Sequence, residues 1–488
     1  MRRPLSALIL AALLGVSLWA GLRGLDFGRH WDERHLVGQA HKALQSELLL
    51  PRSYHYPSVP FWLATAGLAL GEVPEKITSP SLRPDGQRTA VDPAPAVAGD
   101  PVLRIRAIFL VFSALIGLWT FLLARAALRA GPALLAAGWV ATSFELSYHQ
   151  RWIAPDAVMA MVAAAALWCL VRATQGSQRW FVAGAVAAGL CCGTKYTGGI
   201  LLLGVGAVAM QAPGNKEKIR RLILGVAVFS AAFLVSTPGA LLDHGLFWKH
   251  IEYELAHYAK GHGNYTVEGF FEHLTHAGRW LGGAAFSPWA PVAVALALLS
   301  LVGFGVLLRR PPLRGLLVGL PLLYLVYMAQ QKVFFPRNLL ILLPFMAVAA
   351  GVGAQALLDR VRPPWVVGAL LALPVVAHAG YLVHAAETIH DRRTDRFVAE
   401  LQAWCAAHPQ AGLKASPKVL RVVGPQPCFG EGPGQVLYLS EGHPDSRRYP
   451  SLGADWFREV FGPADISLGW YGSWLGDDRI VVTPKSLN

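Results

Sequence analysis

The sequence predicts an all-α polytopic membrane protein with a small soluble α/β domain at its C-terminal end. Three observations lead there. Of 488 residues, 54% are hydrophobic and only 15% are charged. Apolar runs of about 15 to 26 residues recur from residue 5 to residue 385, a length that crosses a bilayer core. These runs are rich in Ala, Leu, Val and Gly and lack the alternation of a lipid-facing barrel strand. Each must then be a helix, because hydrocarbon offers nothing to satisfy an open backbone.

Taken in order, the runs are 5–24, 57–72, 105–123, 133–150, 155–171, 180–194, 197–212, 221–237, 283–308, 314–330, 338–357 and 365–385. The first follows MRR and reads as a retained helix, since further spans follow it and no small-x-small cleavage site precedes a mature domain. Lys and Arg gather in short loops: Arg125–Arg129, Arg172–Arg179, Lys216–Arg221, Arg309–Arg314 and Arg360–Arg362. That is the positive-inside pattern, and it places the N-terminus in the cytoplasm. It also accounts for the net charge of +13 without nucleic acid, with attraction to anionic lipid as a lesser reading. Residues 25–56 then form a first periplasmic loop, 239–280 a large one, and the tail is periplasmic as well. Termini on opposite sides need an odd number of spans, within about 11–13, whereas twelve runs are counted. Either one of the short runs 57–72, 180–194 and 197–212 fails to cross or a longer run hides a broken pair; 57–72 is the suspect, because the charge pattern leaves the Pro-rich 73–103 segment outside.

The membrane domain is therefore 1–385 and the soluble domain 386–488. The tail opens with RTDRFVAELQAWCAAH, apolar at helical spacing, followed by KVLRVVG, QVLYL and RIVVTP as strands. GEGPG at 430–434 reads as a turn. Cys169, Cys191 and Cys192 lie in apolar runs and behave as small hydrophobes. Cys405 and Cys428 lie in the tail, where an oxidising compartment permits a disulfide between them.

Polar residues that stand out gather on the outer side. HWDERHLVGQ places Asp32 and Glu33 just beyond the first span. YHYPSVPFW brings His55 and Tyr56, RWIAPD brings Arg151 and Asp156, and GTKYTGG brings Lys195 and Tyr196. His262 lies in the large loop, and QKVFFPRN carries Lys332 and Arg337. Tyr and Trp at span ends commonly anchor in the interface, and Lys and Arg there commonly snorkel. Lys195 and Arg337 are harder to read that way, because a charge between apolar runs needs a partner, water or a ligand anion. A carboxylate at the membrane edge can be an ion-pair partner or a general base for a hydroxyl. Cations nearby suit a leaving phosphate, whose charge grows as its bond breaks. No tight ligand cluster compels a metal or other cofactor, although scattered His, Asp and Glu could still meet in the fold.

With these residues in view, the chain resembles the GT-C glycosyltransferases of the protein O-mannosyltransferase-like group, which includes the lipid A aminoarabinose transferases. The resemblance rests on the order of WDERH, YHYPSVPFW, RWIAPD, GLCCGTK at 189–195, STPGALLDHGLFWKHIEYELAHYAKGHGN, KVFFPRNLLILLPF and DRRTDRFVAELQAW, over about residues 5 to 405. It implies an inverting transfer from a polyprenyl-phosphate sugar to a hydroxyl of a protein, lipid or glycan. It implies Asp32 as the base, Glu33 as its support or an acceptor contact, and Lys195 and Arg337 as holders of the donor phosphate. Arg151 and Asp156 would organise the cavity. HLVG where the group has a bulkier aromatic segment, and the 73–103 loop, are departures. The bacterial inner membrane is the implied location. Two other readings remain open from the residues: a flippase for a lipid-linked anion, and a non-catalytic scaffold whose tail binds a partner.

Overall fold

The computed structural model describes residues 3–23, 25, 31–73, 75, 101–262, 265–391, 402–415, 420, 424–432, 435–439, 466–467 and 479–483. Most of the 73–103 segment lies outside the described residues. Among the described residues eight helices are long and apolar enough to cross a membrane, and the protein is a multi-pass membrane protein.

Following the chain from face to face gives the topology. Helix α1 (Arg3–Arg23) ends beside the last long helix, since Arg23 pairs with Glu387 at 3.1 Å. Helix α2 (Trp31–Gln45) lies on that same outer face. Helix α3 (Val59–Ala69) has both ends there too. At its start the Trp62 indole N–H donates to the Ser236 carbonyl, and at its end Arg104 donates to the carbonyl of Glu72. Its 11 residues reach only about 16 Å, and both ends are tied to the same face. The run 57–72 therefore does not span.

Helices α4 (Pro101–Ala114) and α5 (Ile116–Arg125) form one descending span. Helix α6 (Ala130–Ala141) returns, and α7 (Phe144–Gln150) caps it on the outer face. Helix α8 (Pro155–Ala173) descends and α9 (Gln178–Thr194) ascends, ending where Lys195 meets the start of α8. The segment Tyr196–Ala209, a 3₁₀ turn leading into α10 (Leu201–Ala209), descends again, and α11 (Asn215–Ser236) ascends. Three helices then stay outside: α12 (Gly239–Leu242), α13 (His244–Lys260) and α14 (Phe270–Gly283). Helix α15 (Ala290–Leu308) descends. Helix α16 (Pro311–Arg314), a π-helical turn and α17 (Leu320–Ala329) ascend as one span. The 3₁₀ segment Pro336–Leu342 and α18 (Leu343–Arg360) descend, and α19 (Pro364–Asp391) ascends. Among the described residues eleven segments run from one face of the bundle to the other, eight of them long and apolar enough to cross a membrane. Helix α19 continues past residue 385 to Asp391.

The opposite face is stitched by the basic loops. Arg129 N–H donates to Gln355 and its side chain pairs with Asp359, while Arg310 donates to the Ala127 carbonyl. The bundle is tight where glycines allow close approach. A Cβ on Gly303 would overlap the Ala349 carbonyl, and one on Gly353 would overlap that of Leu299. Helices α15 and α18 thus pack backbone to backbone, the small-residue solution that membranes favour.

In the tail, four strands form one sheet in the order β1-β2-β4-β3: β1 (Lys414–Ala415), β2 (Gln435–Leu439), β3 (Ile466–Ser467) and β4 (Arg479–Thr483). β1 is parallel to β2, and β4 is antiparallel to both β2 and β3. QVLYL and RIVVT are strands as their pattern suggests. KVLRVVG is mostly outside the described residues, and its Leu420 is helical. Cys405 and Cys428 form a disulfide.

Candidate active site

The site is a chain of alternating charges at the outer end of the bundle. Asp32, in the first turn of α2, places Oδ2 3.0 Å from Arg337 Nη1. Arg337 Nε lies 3.8 Å from Asp156 Oδ2 at the start of α8. Asp156 Oδ1 accepts from Lys195 Nζ at 2.6 Å, and the same Nζ donates to Asn338 Oδ1 at 2.6 Å. The extended Lys195 between α9 and the 3₁₀ turn is what turns its ammonium inward. Tyr324 donates to the Asn338 carbonyl at 2.6 Å, fixing the 3₁₀ segment that carries Arg337. The Tyr56 hydroxyl hydrogen-bonds the Asp32 carboxylate.

Exposure differs along this chain. Asp156 is 1% exposed and Lys195 5%, whereas the Asp32 side chain retains 12%. Burial raises the Asp32 carboxyl above its ordinary range, and the positive Arg337 opposes that shift without cancelling it. Beside Arg337 stands an aromatic shelf. Its guanidinium lies over Phe335 at 4.9 Å, and Phe335 packs on Tyr265 and His262 at 4.8 and 5.7 Å. Burial first, then His257 and Arg337, lowers the His262 pKa.

Of the residues singled out in the sequence, the structure brings Asp32, Tyr56, Asp156, Lys195 and Arg337 together, with His262 at their edge. Other candidates have different surroundings. Glu33 is one residue from Asp32 but about 100° around the helix. Its carboxylate takes two bonds from Arg106, at 2.8 and 2.7 Å, and one from the Ile153 N–H at 3.2 Å. It is fully buried, so it anchors α2 rather than facing an acceptor. Arg151 packs on the Trp152 ring at 4.7 Å, beside Arg106 at 4.9 Å. Tyr196 donates to the Tyr54 carbonyl and holds the loop before Tyr56. His55 pairs with Glu254 at 2.7 Å and stacks near His250. The Lys332 side chain is exposed, and its backbone ties Tyr258 to Val267. Among the described residues no group of three His, Cys, Asp or Glu is placed to hold a metal ion.

Asn338 and Arg106 were missed. Arg106 carried a signal, an arginine inside the apolar run VLRIRAIFLVF. Asn338 carried none beyond its place next to Arg337.

The described residues form a helical membrane bundle with a buried acid–cation cluster under a juxtamembrane helix. The dolichyl-phosphate-mannose-protein mannosyltransferase family model matches residues 94–240. The structure of ArnT from Cupriavidus metallidurans bound to undecaprenyl phosphate is similar with a TM-score of 0.51 at 14% identity, covering 99% of this chain and 98% of that one. An oligosaccharyltransferase from Archaeoglobus fulgidus gives 0.49 at 13% identity, over 83% of this chain and 58% of that one. The Pmt1-Pmt2 complex of S. cerevisiae gives 0.39 at 16%, over 52% and 34%. No curated protein matches in sequence. The chain has the fold of the GT-C superfamily of integral-membrane glycosyltransferases.

Proposed function

We propose that this protein is an inverting glycosyltransferase. It moves a sugar from a polyprenyl-phosphate carrier to a hydroxyl of a protein, lipid or glycan. The observation that carries the reading is Asp32 beside Arg337 at the mouth of the bundle, 3.0 Å apart. The similarity to an undecaprenyl-phosphate-binding fold supports the carrier class.

The geometry suits one displacement. The acceptor oxygen attacks the anomeric carbon while its proton passes to the Asp32 carboxylate. The bond from that carbon to the phosphate oxygen breaks, and its electron pair leaves on the phosphate. Arg337 faces the growing charge, so the leaving group needs no proton. Attack opposite the phosphate inverts the anomeric centre. Lys195 is spent on Asp156 and Asn338, which leaves Arg337 as the cation for the carrier phosphate.

The site lies at the end of the bundle opposite the basic loops. By the positive-inside pattern that end is periplasmic in a bacterial inner membrane, with the N-terminus cytoplasmic. The Cys405–Cys428 disulfide in the tail agrees with an oxidising compartment. The catalytic unit is the membrane domain within 1–385, and the tail after it is a separate periplasmic module.

Mass spectrometry of lipids that co-purify with the protein tests the donor class. A polyprenyl-phosphate sugar is the expected species. A reconstituted assay with that lipid should yield a new glycosidic product. Relocation of the intact lipid without any product would replace this reading with a flippase.

A further inference from the structure

Arg337 is a shared cation. Asp32 holds it from one side at 3.0 Å, and Asp156 approaches it from the other at 3.8 Å. Asp156 is itself clamped by Lys195, which also grips Asn338, the residue beside Arg337. Two carboxylates and two cations give the set no net charge. A phosphate entering such a set must take a cation away from a carboxylate already there.

The two carboxylates are unequal competitors. Asp156 is almost wholly enclosed and sits on a membrane-spanning helix with Lys195 fastened to it. Asp32 sits at the margin on a short outer helix. We infer that the carrier phosphate and Asp32 compete for Arg337, so that donor binding uncaps Asp32 and makes it available as the base. Lys195 and Asp156 are positioning residues: they keep Arg337 in place while it exchanges partners.

This inference rests on the proposed donor class and adds an order of events. While Asp32 is tied to Arg337 it is a poor base for water or a wandering hydroxyl. Once phosphate takes the guanidinium, a buried carboxylate loses its counter-charge and binds a proton more strongly. The base becomes competent only when there is a sugar to transfer.

The test is equilibrium binding of undecaprenyl phosphate to the full chain in lipid nanodiscs. Asp32→Asn removes the competitor and should tighten binding about tenfold, on the order of one partly screened ion pair, while transfer is lost. Arg337→Gln should weaken binding strongly. Lys195→Met should weaken it as well, and Lys195→Arg should restore most of the loss. Equal or weaker binding in folded Asp32→Asn overturns the competition, and Asp32→Ala serves if the first variant does not fold. Equal binding in Lys195→Met and Lys195→Arg overturns the positioning role. If Arg337→Gln binds like the wild type, the donor reading itself fails, a result separate from the other two.

Discussion

Asp32 and Glu33 are neighbours in sequence and face different partners: Asp32 meets Arg337 at 3.0 Å, and Glu33 is held by both ends of the Arg106 guanidinium. In the proposed mechanism the first carboxylate is the base, and the second ties down the helix that presents it. The two substitutions should therefore separate. Asp32→Asn keeps a similar shape and should fold, with transfer reduced by roughly 10² to 10⁴. Glu33→Ala takes the carboxylate away from a buried arginine and should cost about 3–5 kcal/mol of stability. Thermal melting and single-turnover transfer, measured on both purified variants, check this. A stable Glu33→Ala protein with impaired acceptor affinity would return Glu33 to the site.

The acid limb of the pH–rate profile follows from Asp32. A general base works only when deprotonated, so activity falls as pH drops through its pKa. Burial raises that pKa, so the limb should lie above the ordinary carboxylate value of about 4. The limb of kcat/KM reports the free enzyme and that of kcat the donor-bound enzyme. Because bound phosphate draws Arg337 away, the kcat limb should sit at the higher pH. Coincident limbs near 4 would contradict both points.

Much of this was legible in the sequence because membranes make strong demands. A charge between apolar runs has to be used, which is why Lys195, Asp156 and Arg337 stood out and do meet. What they do to one another was not legible. Spacing along the chain does not reveal that Asp156 absorbs Lys195, nor that Glu33 turns away from Asp32. Helical rotation separates adjacent residues by about 100°, and only the packed neighbours decide which side is the cavity. The run 57–72 illustrates the same limit: its hydropathy resembles a span, and its bonds to Ser236 and Arg104 keep it on one face.

That assignment is open to labelling. Leu49→Cys and Glu72→Cys flank α3 and should react from the same side with a membrane-impermeant thiol reagent. Gln211→Cys, whose native side chain bonds to Pro312 on the opposite face, should react only from the other side. Each signal is read above the wild-type background. If Leu49→Cys and Glu72→Cys label from opposite sides, α3 crosses and the eleven-span topology is wrong.

The last prediction concerns Glu145, which no step of the reaction uses. It lies in α7, nearly buried, and accepts from the Trp280 indole N–H at 3.3 Å. Burial raises its pKa to about 7, and the single hydrogen bond opposes this only in part. Its folded pKa thus exceeds an unfolded value of about 4.3. The folded state binds the proton more tightly, so the stability from the neutral acid is complete below about pH 4 and is lost as pH rises through about 7. The loss is on the order of 3 kcal/mol. Melting temperature should fall between about pH 5 and 8 in the wild type and fall less in Glu145→Gln, which keeps an acceptor for Trp280 and cannot ionise. Parallel melting curves for the two proteins across that range would show that Glu145 does not titrate there, and that α7 is held to α14 independently of its charge.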